Sequence, residues 1–220
     1  MATHGILGVT TETSVNFVWY FILFGVVYSA TGGGQLFIDA ALRLVGRRAG
    51  GAAKAEIVSS AMFGTISGSA VANVVATGIF TIPLMKRTGY SPEEAAAHEA
   101  TASTGGQLMP PVMGIAAFVM AELLATPYSR IALAGVIPAV AYYFALYMIV
   151  HLKAKRRGIG TLQEHDLLNV KAIAPRAYLF LPPVILIAIL ASDYSAIMAA
   201  LVASVAALVI CYARAESRLG

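Results

Sequence analysis

Two long apolar stretches of this chain are each broken by a polar, glycine-rich run, and that pattern leaves few folds open. The first break is Ser67-Gly68-Ser69-Ala70-Val71-Ala72-Asn73. The second is Thr101-Ala102-Ser103-Thr104-Gly105-Gly106-Gln107, followed closely by Pro110-Pro111. Backbone that leaves the helix inside hydrocarbon exposes unpaired N–H and C=O groups, which are tolerated only in buried protein or against a polar cavity. Two such breaks close together mark a transporter binding region near mid-membrane. The pattern points to solute transport rather than to a plain membrane anchor.

The rest of the chain is consistent with a membrane setting. Of its 220 residues 59% are hydrophobic and only 12% charged, with a mean hydropathy of +0.78. A soluble domain carries about a quarter charged residues. Thr13–Ile38, Ile57–Met85, Ala100–Ala121, Ile131–Val150 and Tyr194–Ala213 hold no Asp, Glu, Lys or Arg. Each is at least about the 20 residues a helix needs to cross a bilayer core. Ala177–Ser192 is a little shorter but strongly apolar. Strands of alternating polarity are absent from the sequence, which favours a helical bundle over a barrel. A net charge of +4 arises from basic residues in loops between spans, a topology signal that excludes nucleic-acid binding. The lone Cys211 lies in a span and reads as packing. Met1–Asn16 has no basic n-region, so no cleavable signal is expected.

The basic residues also set the topology. Arg43, Arg47, Arg48 and Lys54 precede the first broken segment, Lys86 and Arg87 follow it, and Lys153, Lys155, Arg156 and Arg157 form the longest cluster. If Ile57–Met85 crossed once, Lys54 and Lys86 would face opposite sides. As a re-entrant hairpin turning at Ser67–Asn73 it returns to the cytoplasmic side, and every Lys and Arg except Arg130 is then cytoplasmic. Length agrees, because 29 residues in one straight helix reach roughly 43 Å against a core of about 30 Å. The expected fold is all-α and integral to the membrane, a helical bundle with a re-entrant hairpin and a broken transmembrane helix.

The reading divides the chain into residues 1–54, a first transmembrane helix (Val15–Thr31) and an amphipathic interfacial arm (Gln35–Arg48); 55–127, the hairpin and the broken helix Pro92–Leu124; 128–157, a transmembrane helix ending in the basic cluster; and 158–220, a cytoplasmic loop and two further helices. Gly32-Gly33-Gly34 reads as a hinge, Pro182-Pro183 as a kink or shortening of its span, and Asp193 as an outer-turn residue.

At the first break, Ser67, Ser69 and Asn73 supply oxygens, and helix halves ending there aim backbone dipoles at a cavity. A small-residue packing seam would use the same residue types. At the second, Gly105-Gly106 allows unusual backbone angles and Pro110-Pro111 frees carbonyls upstream. Ser103, Thr104 and Gln107 add side-chain ligands suited to a hard monovalent cation such as Na⁺. His98, Glu99, Glu122 and His151 read as solvated helix ends, and Glu93 and Glu94 as first-turn charges. No Cys/His metal spacing, no phosphate-binding glycine loop and no Ser–His–acid set is evident, so an enzyme is not expected.

Three runs resemble the large permease subunit of TRAP transporters: Gly64–Gly78, Thr81–Tyr90 and Ala102–Gly114. Gly105-Gly106-Gln107 and Phe118-Val119-Met120-Ala121-Glu122 look specifically like the TAXI branch, whose permeases are typically fused chains. The resemblance implies half of an inverted-repeat, elevator-type transporter of the bacterial inner membrane. It implies ion-gradient-driven uptake of a small organic anion, carboxylate-like, delivered by a periplasmic substrate-binding protein. Membrane lipid and the remaining half of the permease, on the same or a separate chain, are the other partners. No cofactor is implied beyond Na⁺ or H⁺ as the coupling ion. By position, Ser67 and Asn73 with backbone oxygens near Gly106, Leu108 and Pro111 would hold the ion, and Ser69, Ser103, Thr104 and Gln107 would lie near the substrate. Asn73 departs from the aspartate that sodium-coupled relatives often carry, and only one hairpin and one broken helix are present. A fragment or split subunit is therefore expected. The alternative is a non-transporting membrane scaffold or assembly subunit.

Overall fold

Apolar helices that cannot leave their backbone groups unpaired pack here through small residues and a few polar contacts, as in membrane bundles. The computed structural model describes residues 19–162, 174–192 and 194–213, together with Gly8, Thr11, Glu12 and Val15. The helices are α1 (Trp19–Ala30), α2 (Gly33–Val45), α3 (Gly51–Ser67), α4 (Ala70–Arg87), α5 (Pro92–Gly105), α6 (Ile115–Leu123), α7 (Tyr128–Arg157), α8 (Leu181–Ala191) and α9 (Ala196–Ala213), with 3₁₀ segments at Gly106–Leu108 and Ala174–Phe180. No strand occurs among the described residues.

Gly32 takes a left-handed conformation, φ 85°, and turns the chain by 70° between α1 and α2. The expected hinge is thus a sharp bend. Beyond it α2 packs on α3 through Ile38, Ala41 and Leu42, and its buried Asp39 is tied to Gln35 at 2.8 Å and to Arg176 at 3.2 Å. That ion pair anchors the second 3₁₀ segment to α2. Pro182 and Pro183 fall in the first turn of α8, where a missing N–H costs nothing, so they set where the helix starts rather than kinking it.

Three helices, α3, α4 and α5, pack mutually and form the middle of the molecule. On one side α7 closes them with Tyr143, Leu146, Val150 and Ala154. On the other, α1, α8 and α9 form a second core around Phe21, Phe24, Tyr28, Phe63 and Leu186. The start of α5 is a capping box, Ser91 with Glu94. Glu94 also pairs with Lys153 at 2.8 Å and with Arg157 at 2.6 Å. The hydrogen bond from Lys153, then that from Arg157, holds the Glu94 carboxyl down to about 2. The polar loop residues Gln163, Glu164, His165 and Asp166, the turn residue Asp193, and Arg214 and Arg218 lie outside the described residues.

Candidate functional site

The first break is a turn of two residues between α3 and α4. Gly68 sits at φ 58°, and a Cβ there would fall 1.9 Å from the Met113 carbonyl oxygen, so only glycine fits both the angle and the space. Ser69 caps α4, its hydroxyl accepting from the Ala72 N–H at 3.3 Å. Two faces of α4 then diverge. Asn73, Thr77 and Thr81, four residues apart, point into the protein and are buried. Val71, Val75 and Ile79, also four apart, are 75, 61 and 68% exposed. Polar inside and apolar outside is the reverse of a helix at a water surface.

The buried face of α4 meets Glu99, and Glu56 lies beyond it on α3. Thr77 Oγ1 donates to Glu99 Oε1 at 2.6 Å, Thr81 Oγ1 donates to Glu99 Oε2, and Ser103 Oγ donates to Glu99 Oε1 at 3.2 Å. From α3, Ser60 Oγ donates to Glu56 Oε1 at 2.7 Å and lies 3.5 Å from Ser103 Oγ. Asn73 Nδ2 donates to the Ser60 carbonyl at 3.0 Å and reaches the Ser103 carbonyl at 3.5 Å.

This corrects the reading of Glu99 and His98 as solvated helix ends. Glu99 is 1% exposed and His98 is buried edge-on against the Tyr90 ring. The reason is that α5 runs between α3 and α4, so positions two turns beyond its cap are already interior. Glu122 is exposed as expected, and His151 is half-buried with Nδ1 2.8 Å from Lys54 Nζ. Sequence reasoning passed over Glu56 altogether. Its signal was the spacing: Glu56/Ser60, Glu99/Ser103 and Asn73/Thr77/Thr81 each repeat at four residues, one face of a helix.

At the second break α5 ends in the 3₁₀ turn Gly106–Leu108 and irregular chain to Gly114. Gly106 lies against Gly64 so closely that a Cβ on Gly64 would come 2.5 Å from Gly106 Cα. The broken helix is thereby pressed onto the hairpin. Ser67, Gly68 and Ser69 share a cavity of about 350 Å³ with Gln107, Leu108 and Met113–Ala116. A larger hollow of about 800 Å³ lies elsewhere, where Tyr128, Leu190 and Tyr194 meet.

The structure therefore sorts the predicted residues into three groups. Ser67, Ser69, Gln107 and Leu108 line the small cavity. Asn73, Ser103 and Gly106 meet one layer deeper, around the Asn73 amide. Thr104 and Pro111 join neither set. Thr104 is exposed, its hydroxyl donating to the Ala100 carbonyl at 2.7 Å, and the Pro111 carbonyl lies 2.8 Å from Tyr128 Oη, whose shorter hydrogen bond is to the Val112 carbonyl.

A hard cation needs several oxygens. Ser67 Oγ and Asn73 Oδ1 are buried without partners, which fits that need. The Gly106 carbonyl already accepts from Met109 N, and the Pro111 carbonyl shares Tyr128 Oη with the Val112 carbonyl, so each keeps a lone pair. The residues present fit a monovalent cation in part.

Comparison with known proteins follows this geometry. Residues 1–219 match the family described as tripartite ATP-independent periplasmic transporter, DctM component. The C4-dicarboxylate TRAP transporter large permease protein DctM of Pseudomonas aeruginosa is 30% identical over 200 residues, 88% of this chain and 46% of that protein. Its namesake in Vibrio cholerae is 33% identical over 140 residues, 64% of this chain and 30% of that protein. The isethionate TRAP transporter permease protein DctMQ of Oleidesulfovibrio alaskensis is 29% identical over 213 residues, 91% of this chain and 32% of that protein. The chain thus spans between about a third and a half of the length of these relatives. These relatives are permeases rather than enzymes, and the chain belongs to the DctM component family of the TRAP transporters.

Proposed function

We propose that this chain forms the first half of the transport core of a TAXI-type TRAP permease of the bacterial inner membrane. It takes up a small organic anion, driven by a Na⁺ or H⁺ gradient and fed by a periplasmic substrate-binding protein. The reading rests chiefly on one observation: the tip of the α3–α4 hairpin and the broken end of α5 line the same cavity, through Ser67, Ser69, Gln107 and Leu108. Gly105-Gly106-Gln107 and Phe118–Glu122 support the TAXI assignment. The names of the relatives, which carry C4-dicarboxylate and isethionate, support a small anion.

In this reading the hairpin is re-entrant and travels with the broken helix as an elevator against a static scaffold. Ser67 and Asn73, with backbone oxygens near Gly106, Leu108 and Pro111, serve the coupling ion. Ser69, Ser103, Thr104 and Gln107 serve the substrate. Because the chain spans less than half of each of these relatives, the other half of the site comes from the remainder of a permease, on the same or another polypeptide.

Sidedness tests it. Single cysteines replace the exposed Arg48 and Arg87 in a Cys211→Ser background, and an impermeant thiol reagent is applied to oriented vesicles of the assembled permease. Labelling of both positions from the cytoplasmic side alone is expected. Labelling from opposite sides would make the segment a plain crossing, and the scaffold reading would replace this one.

A further inference from the structure

Where α7 leaves its apolar stretch it packs against the start of α3, and the side chains gathered there are basic or aromatic. Lys54, in the first turn of α3, is fully buried. Its Nζ lies 2.8 Å from His151 Nδ1 and 5.1 Å from the centre of the Tyr147 ring. Arg48, in the turn between α2 and α3, reaches the same tyrosine, its guanidinium donating to Tyr147 Oη at 3.3 Å. Lys155 stands one turn beyond His151 on the same face of α7 and is exposed.

Among the described residues no carboxylate pairs with any of these four groups. Glu94 is taken by Lys153 and Arg157, and Asp39 by Arg176. A buried ammonium is costly without a partner, and the Tyr147 ring face and the His151 lone pair offset only part of that cost. An ammonium has no lone pair, so His151 Nδ1 accepts and the imidazole hydrogen sits on Nε2, which makes no hydrogen bond among the described residues. The Arg48 guanidinium, the Lys155 ammonium and His151 Nε2–H are thus left for an acceptor from outside the chain, above a fourth, buried charge.

The surroundings show what carries that acceptor. α7 is long and apolar enough to cross a bilayer. Phe144, Met148, His151 and Lys155 follow at i, i+4, i+7 and i+11, one face of the helix. That face passes from exposed Phe144 and half-buried Met148 to the basic cluster. Leu44, on the last turn of α2 ahead of Arg48, is 66% exposed. A soluble anion would use only the basic end of such a face. A phospholipid uses both, and basic pockets between transmembrane helices bind acidic headgroups.

We propose that Arg48, Lys54, His151 and Lys155 form a binding site for the phosphate of an anionic phospholipid whose acyl chain lies along Phe144 and Met148. Arg48 and Lys155 contact the phosphate, and His151 donates to it through Nε2. Lys54 adds its charge from beneath and fixes the imidazole tautomer. The lipid supplies the negative charge that the helices omit, and it ties the turn after α2 to the end of α7. The site is independent of which solute or ion the chain moves, and needs only that α7 lie in a bilayer.

Native mass spectrometry of the full chain in detergent micelles, titrated with phosphatidylglycerol or phosphatidylcholine, counts bound lipid directly. Phosphatidylglycerol should be held at least about tenfold more tightly. R48Q/K155Q should weaken phosphatidylglycerol roughly 25-fold, from two lost surface charges, and leave phosphatidylcholine unchanged. K86Q/R156Q removes the same net charge from exposed residues outside the cluster and should leave the preference intact. Glycerophosphoglycerol, the same headgroup without acyl chains, should not displace the lipid at equal concentration. Equal retention of the two lipids by the parent overturns the proposal without any variant, as it would if Glu164 or Asp166 of the same chain already filled the site. An equal loss in the two double variants also overturns it, because the attraction would then be one of net charge alone. So does displacement by glycerophosphoglycerol, which would make this a site for a soluble phosphate.

Discussion

Gly64→Ala is expected to destabilise the middle of the molecule although it exchanges one small residue for another. A Cβ at position 64 would stand 2.5 Å from Gly106 Cα and 3.2 Å from the Gly106 oxygen. Carbon atoms pack at about 3.5–4.0 Å, so α3 and the Gly106 turn must part by roughly 1 Å. Both sides of the contact are backbone, and no rotamer change can relieve it. Overpacking of this kind costs about 1–3 kcal/mol, and a rigid contact sits near the top of that range. Alanine in a helix interior recovers about 1 kcal/mol relative to glycine. The net loss is about 2 kcal/mol, or roughly 25-fold in the folding equilibrium. Gly25→Ala is the internal control, since its Cβ would meet Ser67 at 3.7 Å, an ordinary contact. That variant is expected to be neutral or up to about 1 kcal/mol more stable. Unfolding by sodium dodecyl sulfate in mixed micelles, followed by ellipticity, compares the three proteins. If Gly64→Ala unfolds with the parent or with Gly25→Ala, the close approach of the two backbones is not there.

Gly106→Ala should behave differently, because its Cβ would meet the far end of Asn73, 2.9 Å from Nδ2, as well as Gly64 Cα at 3.1 Å. A smaller stability loss than that of Gly64→Ala is expected, with altered ion dependence of uptake in the assembled permease as the amide leaves the Ser60 and Ser103 carbonyls. Ser69→Ala removes the cap of α4 and should cost about 1 kcal/mol in the same unfolding assay, while Ser69→Asn should restore most of it. Glu94 has a folded-state value of about 2, below its ordinary 4.5. Its contribution is therefore complete above the ordinary value and is lost as pH falls from about 4.5 to about 2. Parent and Glu94→Gln should differ in thermal stability at neutral pH and converge across that window, and a difference constant through it would exclude the Lys153 and Arg157 contacts as its source.

The helices and both breaks were legible because their signals are local: charge-free length, glycine and proline, and the Ser91-Pro92 start of α5. The Gly32 bend followed from a backbone restriction that acts on one residue, whereas Pro182-Pro183, read as a kink or shortening of a span, stand at the start of a helix. Glu56 and Glu99 were not legible in the same way. Counting along the chain puts Glu99 eight residues past Ser91, near an apparent helix end, and says nothing of which helices flank it. Only the packing of α5 between α3 and α4 makes that position interior. Likewise Pro111 and Thr104 looked equivalent to Ser103 as oxygen sources. Tyr128, 17 residues further on, brings its hydroxyl to the Pro111 and Val112 carbonyls, and one-residue rotation around α5 turns Thr104 outward while Ser103 turns in.

A packing seam and an ion site would make different demands on these residues, and the demands can be compared position by position. Gly64, Gly68 and Gly106 satisfy both, because close backbone approach serves either purpose. Thr77, Thr81 and Ser103 satisfy a seam too, since hydroxyls bridge helices in hydrocarbon at little cost. Glu56 and Glu99 are residues that a packing seam does not need. Buried carboxyl groups are often replaceable by apolar residues of similar volume with no loss, or with a gain, in stability. A chain selected only to hold α3, α4 and α5 together has no use for two of them, still less for one with a buried oxygen left unpartnered. Their position bears on the comparison: Ser60 and Ser103 connect them to Asn73, whose amide lies beside the close Gly64–Gly106 approach.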